Sequence, residues 1–238
     1  MSISREALEY LVSLGEDNDP IINIPEGTFS KIGLKRVTEP VARVLDVSTL
    51  TGIVDYIKSN IDILPANLLI HVESPTRVRL YSPLNKDRER ENYIYAEAIL
   101  PSNINYSTFL DTERFNIMLQ SSFVDKGDKT VLLQYTGLIK NEAVKTTGDD
   151  GVSQQVTVKT GVASVGQAIV PNPVTLAPYR TFPEIEQPES KFIFRMKDGP
   201  SAAIYEADGG AWKNVAILRI KAYLEEQLKE VKSVKIIA

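Results

Sequence analysis

Apolar residues recur along this chain at two spacings, every second position or every third and fourth, and each spacing predicts an element. From Lys191 onward both are present. Phe192, Phe194 and Met196 alternate with Ile193, Arg195 and Lys197, the pattern of a strand with one apolar face. Asp198-Gly199 supplies a tight turn, and residues 202–207 read as the return strand. Asp208 stands at an N-cap position ahead of Gly209-Gly210. Ile217, Ile220, Leu224, Leu228 and Val231 then recur at helical steps with charged residues between them, which predicts a long amphipathic helix. Val234, Ile236 and Ile237 form a last strand candidate. Hairpin, helix and strand are expected to make one compact α+β unit.

The same helical spacing predicts a helix over 3–14, with Ala7, Leu8, Leu11, Val12 and Leu14 as its stripe. It predicts another over 47–59 through Leu50, Ile53, Val54 and Ile57, capped by Asp46 or Ser48, and a third over 109–124 with Asp111 as N-cap. Residues 130–139 fit helix or strand by period alone, and helix is preferred. Pro25, Gly27 and Gly33 break residues 21–45 into short extended pieces such as 29–31 and 36–38. Three strand-like runs, 68–73, 77–81 and 93–99, follow closely enough for an antiparallel meander. Residues 144–147 and 152–160 flank Gly-Asp-Asp-Gly, a hairpin turn. Residues 161–190 are rich in proline and poor in charge, and should form an extended arm lying on its own domain or on a neighbouring subunit. The expected whole is a single α+β domain over 1–238, with antiparallel sheets, about four helices and that arm.

Composition narrows the classes. The net charge of −4 argues against a protein that coats nucleic acid through phosphates, so any such role must rest on a local patch. The absence of cysteine excludes disulfides, zinc-thiolate sites and thiol nucleophiles, and fits a cytoplasmic setting. No apolar run approaches a membrane span. Glu6 and Glu9 interrupt the apolar pattern near the N-terminus, against a signal peptide.

The motifs for chemistry fail one by one. Residues 161–166 have GxxxxG spacing, but Gln167-Ala168 stands where a phosphate loop needs Lys followed by Ser or Thr. There is no GxGxxG, GxSxG or HExxH. His71 is the single histidine, which removes multi-histidine metal sites and most triads. The tightest acidic groups, Asp149-Asp150 and Glu206 with Asp208, fall at a turn and a cap, where Asp has a structural job. No catalytic residue, metal or cofactor is expected. One surface does gather recognition chemistry. If Leu68, Ile70, Val72, Val78, Leu80, Ile94 and Ala96 face the core, the opposite face of the meander carries His71, Arg77, Arg79, Tyr81, Tyr93 and Tyr95. Guanidinium groups among flat rings suit phosphates and bases. The same residues also make an ordinary solvated face of cross-strand Tyr–Arg pairs, the plainer reading of the two. Within the arm, Val165, Ile169, Val170, Val174, Leu176, Tyr179 and Phe182 need cover, which makes them candidates for an interface between copies of the chain.

FIFRMKDGP, EADGGAW and the closing VKIIA, together with VSTLTGIVDYIKSN and LLIHVESPTRVRLYSP, resemble the YfdQ-like prophage proteins, a domain family of unknown function, over residues 40–238. The resemblance implies a phage or prophage origin and the cytoplasm of an infected or lysogenic bacterium. It brings no activity and no functional residues. The expected function is therefore a non-enzymatic accessory protein that self-assembles into a homo-oligomer through the arm. The alternative is a module that binds single-stranded nucleic acid or a nucleotide signal, in DNA metabolism or as a sequestering anti-defence protein.

Overall fold

The computed structural model describes residues 5–16, 21–24, 27–30, 41–86, 88–137, 146–149, 154–160, 164–169, 172–197, 199 and 201–238; for the strands within 21–30 and 146–169 it describes the backbone only. The chain divides into two compact units, Met1–Val41 and Ala42–Ala238, and both hydrophobic cores found among the described residues lie in the second.

In the first unit, helix α1 (Arg5–Glu16) precedes an antiparallel hairpin of β1 (Ile21–Ile24) and β2 (Gly27–Ser30). Arg5 pairs with Glu9 one turn on, at 2.8 Å. The extended piece expected at 36–38 lies outside the described residues.

The second unit is α+β. One five-stranded sheet has the order β14-β4-β5-β6-β3. Its centre is the expected meander, β4 (Leu68–Ser74), β5 (Arg77–Tyr81) and β6 (Asn92–Glu97), paired antiparallel. Its two edges, β3 (Leu45–Val47) and β14 (Val234–Ile237), pair parallel to β6 and β4. Alternation drives the sheet's inner face: Leu68, Ile70, Val72, Val78, Leu80, Ile94 and Ala96 are all buried. Helix α2 (Leu50–Ser59) covers β6, and α5 (Ala211–Gln227) covers β4. Helix α2 buries Leu50, Ile53, Val54 and Ile57, the i, i+3, i+4, i+7 stripe. Its cap is Thr49, whose hydroxyl accepts from Gly52 N at 3.2 Å; Asp46, an expected cap, is taken up by β3.

A second sheet, β11-β12-β13-β7, is antiparallel throughout. It joins β11 (Val174–Leu176), β12 (Ser190–Lys197), β13 (Ser201–Glu206) and the short β7 (Leu110–Asp111). Helices α3 (Thr112–Ser122) and α4 (Lys129–Gly137) line the same core. Asp111 Oδ1 caps α3, accepting from Arg114 N at 2.9 Å. Phe115, Phe123, Phe192 and Phe194 fill this core, each worth about 1.5–3 kcal/mol of transfer free energy. A third antiparallel sheet consists of β8 (Thr146–Asp149), β9 (Gln154–Thr160) and β10 (Ser164–Ile169). Strand β8 runs through Gly148-Asp149, the first half of the expected Gly-Asp-Asp-Gly turn, and pairs antiparallel with β9 as far as Asp149↔Gln154; residues 150–153 lie outside the described residues.

Two expectations need correction. The C-terminal hairpin, helix and strand are not one unit: β12 and β13 belong to the second sheet, whereas α5 and β14 complete the first. Nor is 161–190 an irregular arm. Its first part contains β10, its next part is β11, and residues 177–189 form a loop folded around one side chain. The buried Gln187 amide accepts from the N–H groups of Arg180 and Thr181 at 2.9 and 3.2 Å and donates to Phe182 O at 3.0 Å. Proline hides this from periodicity, since the loop repeats neither spacing. The loop also joins the two sheets. Thr181 Oγ1 donates to Pro75 O in the β4–β5 turn, and Phe182 and Ile185 enter the first core. Val174, Leu176 and Phe182, expected at a subunit interface, are thus fully buried within the chain's own cores and offer no surface to a second copy. Tyr179 keeps 40% of its surface exposed. Val165 and Ile169 fall in β10, where the backbone alone is described, and Val170 lies outside the described residues.

Candidate functional site

Strand pairing brings His71, Arg79 and Tyr95 into one cross-strand row on the outer face of the meander. The Arg79 guanidinium lies over the Tyr95 ring, 4.6 Å from its centroid. Arg79 Nε is 2.9 Å from Glu73 Oε1, and His71 Nδ1 is 4.0 Å from the same oxygen. Next along the face, Arg77 Nε donates to Glu97 Oε1 at 3.0 Å, across from it in register. The Tyr95 hydroxyl donates to Glu97 as well. These two donors, Arg77 first, hold the Glu97 carboxyl below its usual range. Both arginine charges therefore have a carboxylate partner within the face. Tyr81, two residues along β5 from Arg79, stands outside this row, opposite Leu69.

Tyr93 is not on this face. The register passes from Leu80↔Ile94 to Tyr81↔Asn92, so β6 carries one extra residue there. Such a bulge breaks the two-residue period, and Tyr93 packs against the first core near Tyr56 of α2. With the Asn92 amide turned to suit its neighbours, its oxygen accepts from Arg79 Nη1 at 3.1 Å and its nitrogen donates to Leu80 O and Ile94 O. Alternation revealed the His71–Arg79–Tyr95 row. The neutralising pairs with Glu73 and Glu97 needed the register, which periodicity does not give.

Of the two acidic groups, Asp150 lies outside the described residues and Asp149 is described by its backbone only, whereas Glu206 and Asp208 have structural partners. Glu206 pairs with Arg180 at 3.2 Å. Asp208 accepts from Gly210 N at 3.0 Å and Trp212 N at 3.3 Å, at the start of α5. Among the described residues, no three His, Asp or Glu side chains converge as a metal site requires, and no helix is long and apolar enough to cross a membrane. The GxxxxG segment enters β10 at Ser164 and pairs with β9.

Another surface stands out on physical grounds. After α2 the chain turns at Asn60 and reaches β4 through a short loop. Ile61 and Ile63 on this loop are 75% and 85% exposed. Ile63 has φ +50°, left-handed backbone that a β-branched residue rarely adopts. The loop is held in this shape by its own hydrogen bonds. Asn60 Oδ1 accepts from Leu64 N at 2.8 Å, Asn60 O accepts from Ile63 N at 3.1 Å, and Tyr56 OH donates to Asp62 Oδ2 at 2.8 Å. Two isoleucines are thus presented outward on an ordered, locally strained loop. Periodicity gave no warning, because neither exposure nor the sign of φ is written in it.

No family model, no curated protein and no solved structure matches this chain.

Proposed function

We propose that this protein acts without chemistry of its own, as a self-assembling accessory protein of a phage or prophage in the host cytoplasm. The observation that carries the reading is the pair Ile61 and Ile63, ordered yet 75% and 85% exposed. A strained backbone of this kind costs on the order of 1–3 kcal/mol, and persists where the surroundings hold it for a purpose. Apolar side chains presented at that cost gain free energy when a protein surface covers them. The resemblance to prophage proteins supplies the setting. Light scattering coupled to size exclusion, from low to high micromolar, tests the reading: a mass above that of one chain is expected, and a single-chain mass throughout would sink it.

A second reading rests on Arg79 stacked over Tyr95 at 4.6 Å. That flat surface suits a base from single-stranded nucleic acid or a nucleotide signal. Glu73 and Glu97 oppose a phosphate beside it, so binding here would rest on stacking. Tyr95→Ala should then cost about 1–3 kcal/mol of affinity for a short single-stranded oligonucleotide. Absence of wild-type binding at low salt removes this reading.

A further inference from the structure

Resting on the self-assembly reading, we propose that the Ile61–Ile63 loop of one copy seats in a lysine-rimmed groove beside β14 of a second copy, and reciprocally. The groove has a volume of about 330 Å³ and lies between the end of α5 and β14. Leu228, Val231, Val234 and Ile236 line it with apolar surface. Lys232 and Lys235 also line it. Lys229, on the same wall, is held by Glu226 at 2.7 Å.

Three observations favour a second copy as the occupant. The first is chemical complementarity. The loop offers two isoleucines with Asp62 between them; the groove offers four apolar side chains among three lysines and one carboxylate, Glu225, so its lining is net positive. Asp62 spends one carboxylate oxygen on Tyr56 OH at 2.8 Å and retains capacity to accept from an ammonium. The second is position. The loop ends at Leu68, whose N–H donates to Ser233 O at 2.8 Å, and Ser233 directly precedes the Val234 that lines the groove. The loop thus leads directly into β4, the strand that pairs with the groove's β14. Such a patch is self-complementary: a two-fold axis between copies sets each loop into the other's groove, and the contact closes as a dimer. The third concerns β14, the edge strand of its sheet. Lys235 sits within it, and a lysine there discourages strand-to-strand pairing between copies. Burying the loop's isoleucines leaves that edge unpaired.

Five samples in light scattering and sedimentation equilibrium test this. Wild type is expected to be dimeric. Ile61→Asp with Ile63→Asp, and separately Lys232→Glu with Lys235→Glu, should each raise the dimer dissociation constant at least about tenfold, roughly 1.4 kcal/mol. Asp62→Lys combined with the two lysine reversals should recover part of the loss. Ile63→Asn separates folding from association, because asparagine tolerates positive φ: the thermal midpoint should hold or rise while the dimer weakens. A wild-type oligomer that all these variants retain overturns the interface and leaves self-assembly standing. A monomeric wild type overturns both.

Discussion

The guanidinium of Arg180 lies over the ring of Trp212, 4.0 Å from its centroid, although Arg180 belongs to the 177–189 loop and Trp212 to α5. Arg180 is 5% exposed and also reaches Glu206 at 3.2 Å, Pro188 O at 3.2 Å and Ser190 Oγ at 2.5 Å. It thereby ties the 177–189 loop to the end of β13 and the start of α5. Trp212 itself is half-buried and belongs to neither hydrophobic core.

Arg180 should consequently matter through its fork geometry as well as its charge. Lysine keeps the charge but loses the planar stack and at least one of the buried hydrogen bonds. Arg180→Lys is expected to cost about 1–3 kcal/mol in urea unfolding with little change in slope. Trp212→Ala should cost about 2 kcal/mol, below the 3–5 of a fully buried tryptophan. The double variant should fall short of the sum by about 0.5–1 kcal/mol; strict additivity would show that the stack contributes nothing.

Glycine at 127 is required twice over. Its φ is +62°, and a Cβ there would meet the backbone oxygen of Thr175 at 2.4 Å. The carbonyl cannot retreat easily, because it accepts from Asp128 N at 2.9 Å, along the line where β11 is held against the α3–α4 connection. Gly127→Ala is expected to cost about 2–4 kcal/mol. Gly137, at the end of α4, has open space around its Cβ position. Alanine there should be neutral or stabilising by about 0.5 kcal/mol. Equal melting temperatures for the two variants would refute the close-approach argument.

These contrasts mark what the chain discloses in one dimension. The α2 stripe was legible because four apolar residues at helical spacing have one way to be buried together. The meander was legible for the same reason at period two. Tyr93 was not, because a bulge adds one residue without changing composition. Strand β14 was legible as a strand, but its parallel pairing and that of β3 were not, because Leu45 and Val234 find partners far away in sequence. Long-range choices of this kind also divided the C-terminal hairpin from α5. That helix carries Val215 and Leu218 on its exposed side besides the buried Ala216, Ile220 and Leu224, so its apolar residues do not define one face. At the candidate site, residue types were readable and their neutralising partners were not.

Alkaline pH should expose the buried phenols. Burial pushes Tyr106 and Tyr135 up to about 12 from 10, and for Tyr106 the nearby Arg180 opposes the shift without cancelling it. Tyr56 also rises to about 12, through burial first and then its hydrogen bond to Asp62. A raised tyrosine pKa means that the fold favours the neutral phenol. The associated stability is fully present below pH 10 and is lost as pH climbs from about 10 through about 12. Thermal midpoints measured across that window should fall steadily, and Tyr135→Phe should flatten the fall. Absorbance titration of the folded protein should show a late tyrosinate fraction; one wave near pH 10 for all ten tyrosines would contradict the assignment.

The proline-rich segment yields the sharpest reversal of expectation. Treated as an arm, residues 166–186 would be dispensable, and replacing them with a short Gly-Ser bridge would lower the oligomer mass while leaving a folded α+β chain. The structure gives them a different task. Val174 and Leu176 lie in the second core, Phe182 and Ile185 in the first, and all four are buried. The deletion removes these side chains and leaves apolar surface open in both cores, at several kcal/mol for each large residue lost. Over four side chains that total, roughly 8–20 kcal/mol, matches the whole 5–15 kcal/mol by which a domain of ordinary stability is folded. The deleted chain should therefore show no cooperative thermal transition by circular dichroism. A milder probe acts on the loop alone. Gln187→Ala leaves the N–H groups of Arg180 and Thr181 without their shared acceptor in a buried setting, and should cost about 2–4 kcal/mol in chemical denaturation. Gln187→Glu retains the acceptor but removes the donor to Phe182 O and buries a charge, so it should be no better than alanine. A cooperative transition in the deletion variant near the wild-type midpoint would restore the arm and remove the loop from both cores.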